Sequence, residues 1–313
     1  MILAGLDEAG YGPILGPLVA GLAAFRVRSA GGPREAAAAL GRALDRRRHG
    51  VRIGDSKAIH RPARGPGPLE REVLAALAAR DGVIPRDGAA LHAALGLAAP
   101  PADLPWYGAV PGRTLPLAAD PGEALERGAA LAGALREEGV SLALLRSRAC
   151  PESRFNEAVA ERGTKAGVLF AETAVVIEAA LARPGEEPVH LACDRQGGRV
   201  RYGALLQARF PDHLVRTLRE GKNESVYEWA GGRAQIRFAV RADASDPAVG
   251  LASMAAKYVR EVWMESLNAW VLREAPGVRP TAGYWTDGLR FLRETAAARR
   301  RLGVEDARFV RTR

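Results

Sequence analysis

The chain has 313 residues, 48% of them apolar and 26% charged, enough for one large domain with embellishments or for two. No run approaches the roughly 20 apolar residues of a membrane span, and the opening residues lack the basic region of a secretory signal. This composition leads to the expectation of a cytoplasmic globular enzyme that does not engage a membrane.

The formal charge is +9, and Arg plus Lys outnumber Asp plus Glu by ten to four over 195–241 and by eight to three over 289–313. A basic excess suits a polyanionic partner, nucleic acid being the commonest, although an Arg-rich compositional bias gives the same excess. Cys150 and Cys193 lie far apart in apolar contexts, as reduced core residues do; a metal site needs clustered ligands.

In chain order, residues 2–6 (ILAGL) and 18–27 (LVAGLAAFRV) read as buried strands joined by a Gly/Pro loop, the second run being compatible with a helix as well. A helix is expected over 35–48, ending in the solvated run RRRH, then a turn at 52–60 and a helix near 68–80. The Pro/Gly-rich stretch 81–122 has no clear period and reads as loops or an insertion. A strand follows at 140–148, then a long helix over 153–182 interrupted near Gly163 and Gly167.

Another apolar strand, 187–194, ends in Asp194; a helix is expected over 199–210 and a strand over 234–243, ending in Asp243. The last long helix starts with Asp246 as N-cap and Pro247 as first helical residue. Leu251, Met254, Tyr258 and Val262 share one of its faces, Ser253, Lys257 and Arg260 another. There are no internal repeats. The order describes an α/β sheet with an antiparallel beginning and helical crossovers later.

Three of these strands end in acids: Asp7 with Glu8, Asp194, and Asp243. Neighbouring strand residues face opposite ways, so Asp7 and Glu8 serve one site only if the chain leaves the strand there. Carboxylates brought together cannot all stay ionised without compensation, and all-oxygen ligands favour Mg²⁺ or Mn²⁺. Two such ions about 4 Å apart stabilise both the attacking and the leaving oxygen of a phosphodiester displacement. A single Asp at a strand end also serves as turn residue or cap, and spacing alone does not bring the four together. Gly10, Gly12 and Gly16 nearly make a dinucleotide-binding loop, but the last spacing is one residue too long and no clear helix follows.

GLDEAGYGPILGPLVAG (5–21) resembles the first motif of the type 2 ribonucleases H, the ribonuclease HII/HIII family, whose usual form is G-[IV]-D-E-[AS]-G-[RK]-G-P-x-x-G-P. GDSKAIH (54–60) is similar to the family's D-S-K motif. SLALLRSRACPESRFN (141–156) resembles the strand and turn that lead into its central helix, and HLACD (190–194) the strand carrying its third acid. RADASDPAVGLASMAAKYVRE (241–261) and GYWTDGLRFL (283–292) resemble its A-A-S-I-x-A-K-V-x-R-D block and its late tyrosine motif.

The resemblance implies a ribonuclease H-like α/β fold: a mixed five-stranded sheet whose first three strands are antiparallel, flanked by helices. A catalytic domain is expected over 1–275, with an insertion at about 60–139 that the resemblance does not cover, and a basic helical extension over 276–313 packed on it. Asp7, Glu8, Asp194 and Asp243 become the catalytic acids holding two Mg²⁺ or Mn²⁺ ions. Gly10, Tyr11 and Gly12 become the loop that meets the ribonucleotide 2′-hydroxyl, the group that distinguishes RNA from DNA. Ser56 and Lys57, with Ser253, Lys257 and Arg260, would contact the backbone, and Tyr284 would stack on the sugar.

The implied activity is endonucleolytic cleavage of the RNA strand of RNA–DNA hybrids, or at ribonucleotides embedded in duplex DNA, by a monomer, leaving a 3′-hydroxyl and a 5′-phosphate. The sequence departs from the family pattern in two places: Tyr11 stands where Arg or Lys is usual, and Asp287–Gly288 replaces a polar residue and His. A phenol does not imitate a cation at a phosphate. Cleavage of another structured nucleic acid, or hybrid binding without catalysis, are the competing expectations.

Overall fold

The computed structural model describes residues 1–28, 31–54, 56–59, 65–182 and 187–312, with only the backbone of Lys57 and Ala58. Asp55 and His60 of the GDSKAIH motif, the Lys57 side chain, and Arg313 at the end of the basic extension therefore lie outside the described residues.

One sheet of seven strands runs in the order β3–β2–β1–β4–β7–β6–β5. Strands β1 (Ile2–Ala9), β2 (Leu18–Val27) and β3 (Val140–Cys150) pair antiparallel, as expected. Strand β2 lies between the other two with nine of its ten residues buried, which explains its unbroken apolar run. On the far side of β1, β4 (Val189–Asp194) and β7 (Ala234–Ala239) run parallel to it. These are the five expected strands.

The hairpin β5 (Arg216–Glu220) and β6 (Glu224–Trp229) adds two more beyond β7, which corrects the expected strand count. All five residues of β5 are exposed and three are charged, so no apolar alternation announces it.

Helices α1 (Pro33–Ala43) and α2 (Arg46–His49) replace the single helix expected at 35–48. The break falls at Asp45, whose carboxylate caps the Arg47 N–H, and His49 of the run RRRH is buried, not solvated. A single turn, α3 (Ser56–Ile59), precedes α4 (Gly67–Asp81). The 81–122 stretch holds a helix, α5 (Gly88–Leu95), and α6 (Pro121–Glu137) follows it, each N-capped by an aspartate, Asp87 or Asp120.

Helices α7 (Glu152–Arg162) and α8 (Lys165–Leu181) break at Gly163 as expected, and α9 (Gly203–Arg209) lies between β4 and β5. Then come α10 (Ala242–Ser245), α11 (Pro247–Leu272), α12 (Trp285–Glu294), α13 (Ala296–Arg301) and α14 (Asp306–Phe309).

The sheet separates two cores. On one face Leu6, Leu22 and Ile236 pack under α8 and α9; on the other, α11 joins α4, α5 and α6 in one cluster with Val19, Ala23 and Phe25. Residues expected to form an insertion thus share the main core. Buried Glu70 fastens them: it accepts the N–H groups of Leu117, Ala118 and Ala119 and the Tyr258 hydroxyl of α11 at 2.6–2.9 Å. A buried carboxylate with four donors is fully compensated. Helix α11 lies directly on β1 because Gly5 has no side chain; a Cβ there would stand 2.0 Å from the main chain of Ala248 and Val249. That contact brings Ser253 over the strand end where Asp7 sits.

Candidate active site

A cavity of about 490 Å³ opens at the carboxyl ends of β1 and β4. Asp7, Glu8, Asp194 and Asp243 all line it. Leu6 pairs with Cys193 across parallel strands, so Asp7 and Asp194 follow at one level on neighbouring strands. Strand β1 continues through the acids to Ala9, beyond the expected end at residue 6, and both acids still line the cavity at its carboxyl end. Asp243 is not at a strand end. Strand β7 stops at Ala239, Arg241 takes a left-handed conformation (φ +56°), and the chain turns back into the single turn α10 that carries Asp243. The first residue of that turn, Ala242, donates its N–H to Asp194 at 2.7 Å, tying the two acid-bearing segments together.

The charges interact. Burial pushes the Asp7 carboxyl up to about 7, with the negative charges of Asp194 and Asp243 adding to it, while hydrogen bonds from Ser253 and the Glu8 main chain oppose it. The Cys193 thiol, buried behind the acids, is raised by burial and then by Glu8, Asp7 and Asp194. Among the described residues no three His, Cys, Asp or Glu side chains stand close enough together to hold an ion as they are. The donor set is nevertheless right in kind, all oxygen and negative, and burial with the neighbouring negative charges of Asp194 and Asp243 raises the Asp7 carboxyl.

Gly10, Tyr11 and Gly12 form one wall. Gly10 adopts φ +85°, open to glycine at no steric cost, and a side chain there would strike Arg260 at 2.7 Å. The Tyr11 ring packs partly against the apolar cluster of Leu18, Cys150, Phe155, Val168 and Leu169. Below the loop, Glu152 is fully buried and accepts the Gly16 N–H at 2.8 Å and the Tyr107 hydroxyl at 2.9 Å. Burial raises both its carboxyl and the Tyr107 phenol.

Ser56, Ser253, Lys257 and Arg260 also line the cavity, on α3 and one face of α11. Ser56 and Ser253 meet at 3.1 Å. Arg260 is only 4% exposed, and its guanidinium donates to the carbonyls of Leu15 at 3.0 Å and Ala282 at 2.9 Å, stitching the loop to the segment before α12. Tyr284, 55% exposed, stands on the rim with its ring centroid 5.8 Å from the Arg260 guanidinium. All the singled-out residues except Lys57, whose side chain is not described, therefore line one cavity. Glu261 lines it as well and was not singled out; it follows Arg260 at the place where the family block has Asp, which was a usable signal. Arg311, far off in sequence, holds the loop from behind and had no sequence signal.

No family model and no curated protein matches the chain. Among solved structures, it is similar to the ribonuclease H2 of Pyrococcus horikoshii OT3, with 15% identity over 99% of this chain and 92% of that one and a TM-score of 0.48. It is also similar to ribonuclease HII of Archaeoglobus fulgidus, solved in complex with PCNA, with 17% identity over 100% and 95% of the two chains and a TM-score of 0.44. Among the described residues no helix is long and apolar enough to cross a membrane.

Proposed function

We propose that this chain is a divalent-metal-dependent endoribonuclease that cuts the RNA strand of RNA–DNA hybrids, or duplex DNA at embedded ribonucleotides. The observation that carries the reading is the meeting of Asp7, Glu8, Asp194 and Asp243 around one cavity, from three parts of the chain, with Asp7 pushed up to about 7. A binder of polyanions gains nothing from gathered negative charge. A metal-dependent nuclease requires it.

Asp7, Glu8, Asp194 and Asp243 would hold Mg²⁺ or Mn²⁺. Metal held there would supply a nucleophilic water and stabilise the leaving oxygen of a cleavage that leaves a 3′-hydroxyl and a 5′-phosphate. The protein's own share is placement. Ser253 orients Asp7, the Ala242 N–H orients Asp194, and Lys257 and Tyr284 line the cavity where backbone and sugar would pass. Because the Tyr11 ring turns partly into an apolar cluster, the loop would read the 2′-hydroxyl through its main chain, and the missing cation at position 11 does not remove that contact.

Asp7→Asn and Asp194→Asn test the assignment. Each is expected to reduce cleavage of a ribonucleotide-containing duplex to background while leaving duplex binding in place. Full activity in either variant overturns it.

A further inference from the structure

Arg311 runs beneath the loop and is 2% exposed. Its Nη2 donates to the carbonyls of Gly10 at 2.5 Å, Tyr11 at 3.2 Å and Pro13, its Nε to Pro13 at 3.0 Å, and its main-chain N–H to Ile14 at 2.8 Å. The guanidinium lies 4.6 Å from the Phe155 ring centroid. Asn156 on α7 fastens the flanking residues: its amide donates to the carbonyls of Ala307 and Val310, each at 2.8 Å, and its oxygen accepts the Thr312 N–H at 2.7 Å.

The C=O and N–H of a trans peptide point in opposite directions. Anchoring the Gly10 and Tyr11 carbonyls on Arg311 therefore turns the N–H groups of Tyr11 and Gly12 the other way, toward the cavity these residues line. The Pro13–Ile14 peptide obeys the same rule with both ends satisfied: Pro13 accepts from Arg311, and the Ile14 N–H donates to Gly283 at 2.8 Å. Neither the Tyr11 nor the Gly12 N–H has an acceptor among the described residues. Two successive N–H groups on one side of a loop, backed by a buried cation, form a seat for an electron-rich oxygen.

We propose that Arg311 is a positioning residue: it presets the Gly10–Gly12 loop with two N–H groups facing the cavity, and supplies from below the positive field that Tyr11 does not supply from its place in the loop. This rests on the nuclease reading given above, and concerns how the oxygen-reading loop is held rather than whether the carboxylates cut. A guanidinium is required because one planar fork reaches three carbonyls, whereas an ammonium cannot span them.

The test compares wild type, Arg311→Met and Arg311→Lys on matched duplexes with and without one ribonucleotide, together with ¹⁵N relaxation of the Tyr11 and Gly12 amides. Arg311→Met is expected to lower kcat/KM on the ribonucleotide duplex by about tenfold to a hundredfold, mainly through kcat, because a displaced loop no longer orients its substrate. The two amides become mobile, and Arg311→Lys recovers only part of both effects. A merely structural role would lower the melting temperature and leave kcat of the folded enzyme unchanged. Unchanged kcat, or loop amides in Arg311→Met as rigid as in wild type, overturns the proposal. If wild type cuts neither duplex, the nuclease reading fails while the relaxation experiment still decides the role of Arg311. Should Arg311→Met not fold, Arg311→Lys carries both arms.

Discussion

The hydroxyls of Ser56 and Ser253 meet at 3.1 Å although 197 positions separate them, and Ser253 in turn hydrogen-bonds Asp7. A hydroxyl has one proton, and an ionised carboxylate only accepts, so whenever Asp7 is ionised Ser253 donates to it and receives from Ser56. The pair is an oriented relay that favours the charged form of an acid that burial disfavours. Ser253→Ala is expected to raise the Mg²⁺ concentration for half-maximal cleavage by about tenfold, the usual cost of losing a hydrogen bond behind a metal ligand. Metal titration of cleavage measures it, and Ser253→Thr restores the wild-type value. An unchanged metal requirement in Ser253→Ala contradicts the relay.

Glu152 and Tyr107 give a stability prediction. The carboxylate is buried under the loop with the Gly16 N–H and the Tyr107 hydroxyl as donors. Tyr107→Phe keeps the packing against Trp263 and removes one of those donors. The expected loss is about 1–3 kcal/mol in chemical denaturation, the cost of a buried acceptor left short of a donor. No loss would mean that another donor replaces it.

Strands β1 to β4 and β7 were legible because buried strands are apolar runs, and α11 because Asp246 and Pro247 spell a helix start; the Asp246 carboxylate accepts the Ala248 and Val249 N–H groups as that reading required. The same signal, Asp120 before Pro121, starts α6, where the surrounding Pro/Gly-rich composition hides it. Strand β5 was illegible because its side chains all face water. The four acids and the Gly10–Gly12 loop were singled out through motif resemblance; spacing alone did not bring them together, because their lining one cavity depends on strand register and on the left-handed turn at Arg241. Arg311 had no sequence signal, and Arg260, singled out for substrate contact, proves to be buried, for a simpler reason. Arginines are taken for surface residues, and only the fold shows these two bonded to main-chain carbonyls inside it.

His92 sets a pH dependence. It stacks on Trp263 with centroids 5.8 Å apart, its Nε2 accepts the indole N–H at 3.3 Å, and burial lowers its pKa. His49 and His190 are lowered by burial as well. Folded-state values below the unfolded one mean that the unfolded chain takes up protons first on acidification. The histidine contribution to stability is then level above about pH 6.5 and falls as pH drops below it, while the raised carboxyls of Asp7, Glu152 and Asp246 contribute in the opposite sense. Denaturant melts at decreasing pH check this, and His92→Gln is expected to flatten the fall. A fall of the same steepness in His92→Gln removes the residue from the account.

The central claim is that the acids lining one cavity, beside a loop with a tyrosine at its tip, form a metal-dependent site that senses a single ribonucleotide. Its most direct test is cleavage of two duplexes identical except for one ribonucleotide, in Mg²⁺ and in Mn²⁺, by wild type and by Tyr11→Arg. The account predicts metal-dependent cutting on the 5′ side of the ribonucleotide, leaving a 3′-hydroxyl, in both proteins, with the all-DNA duplex intact. Equal cutting of both duplexes, or no cutting with either metal, contradicts it.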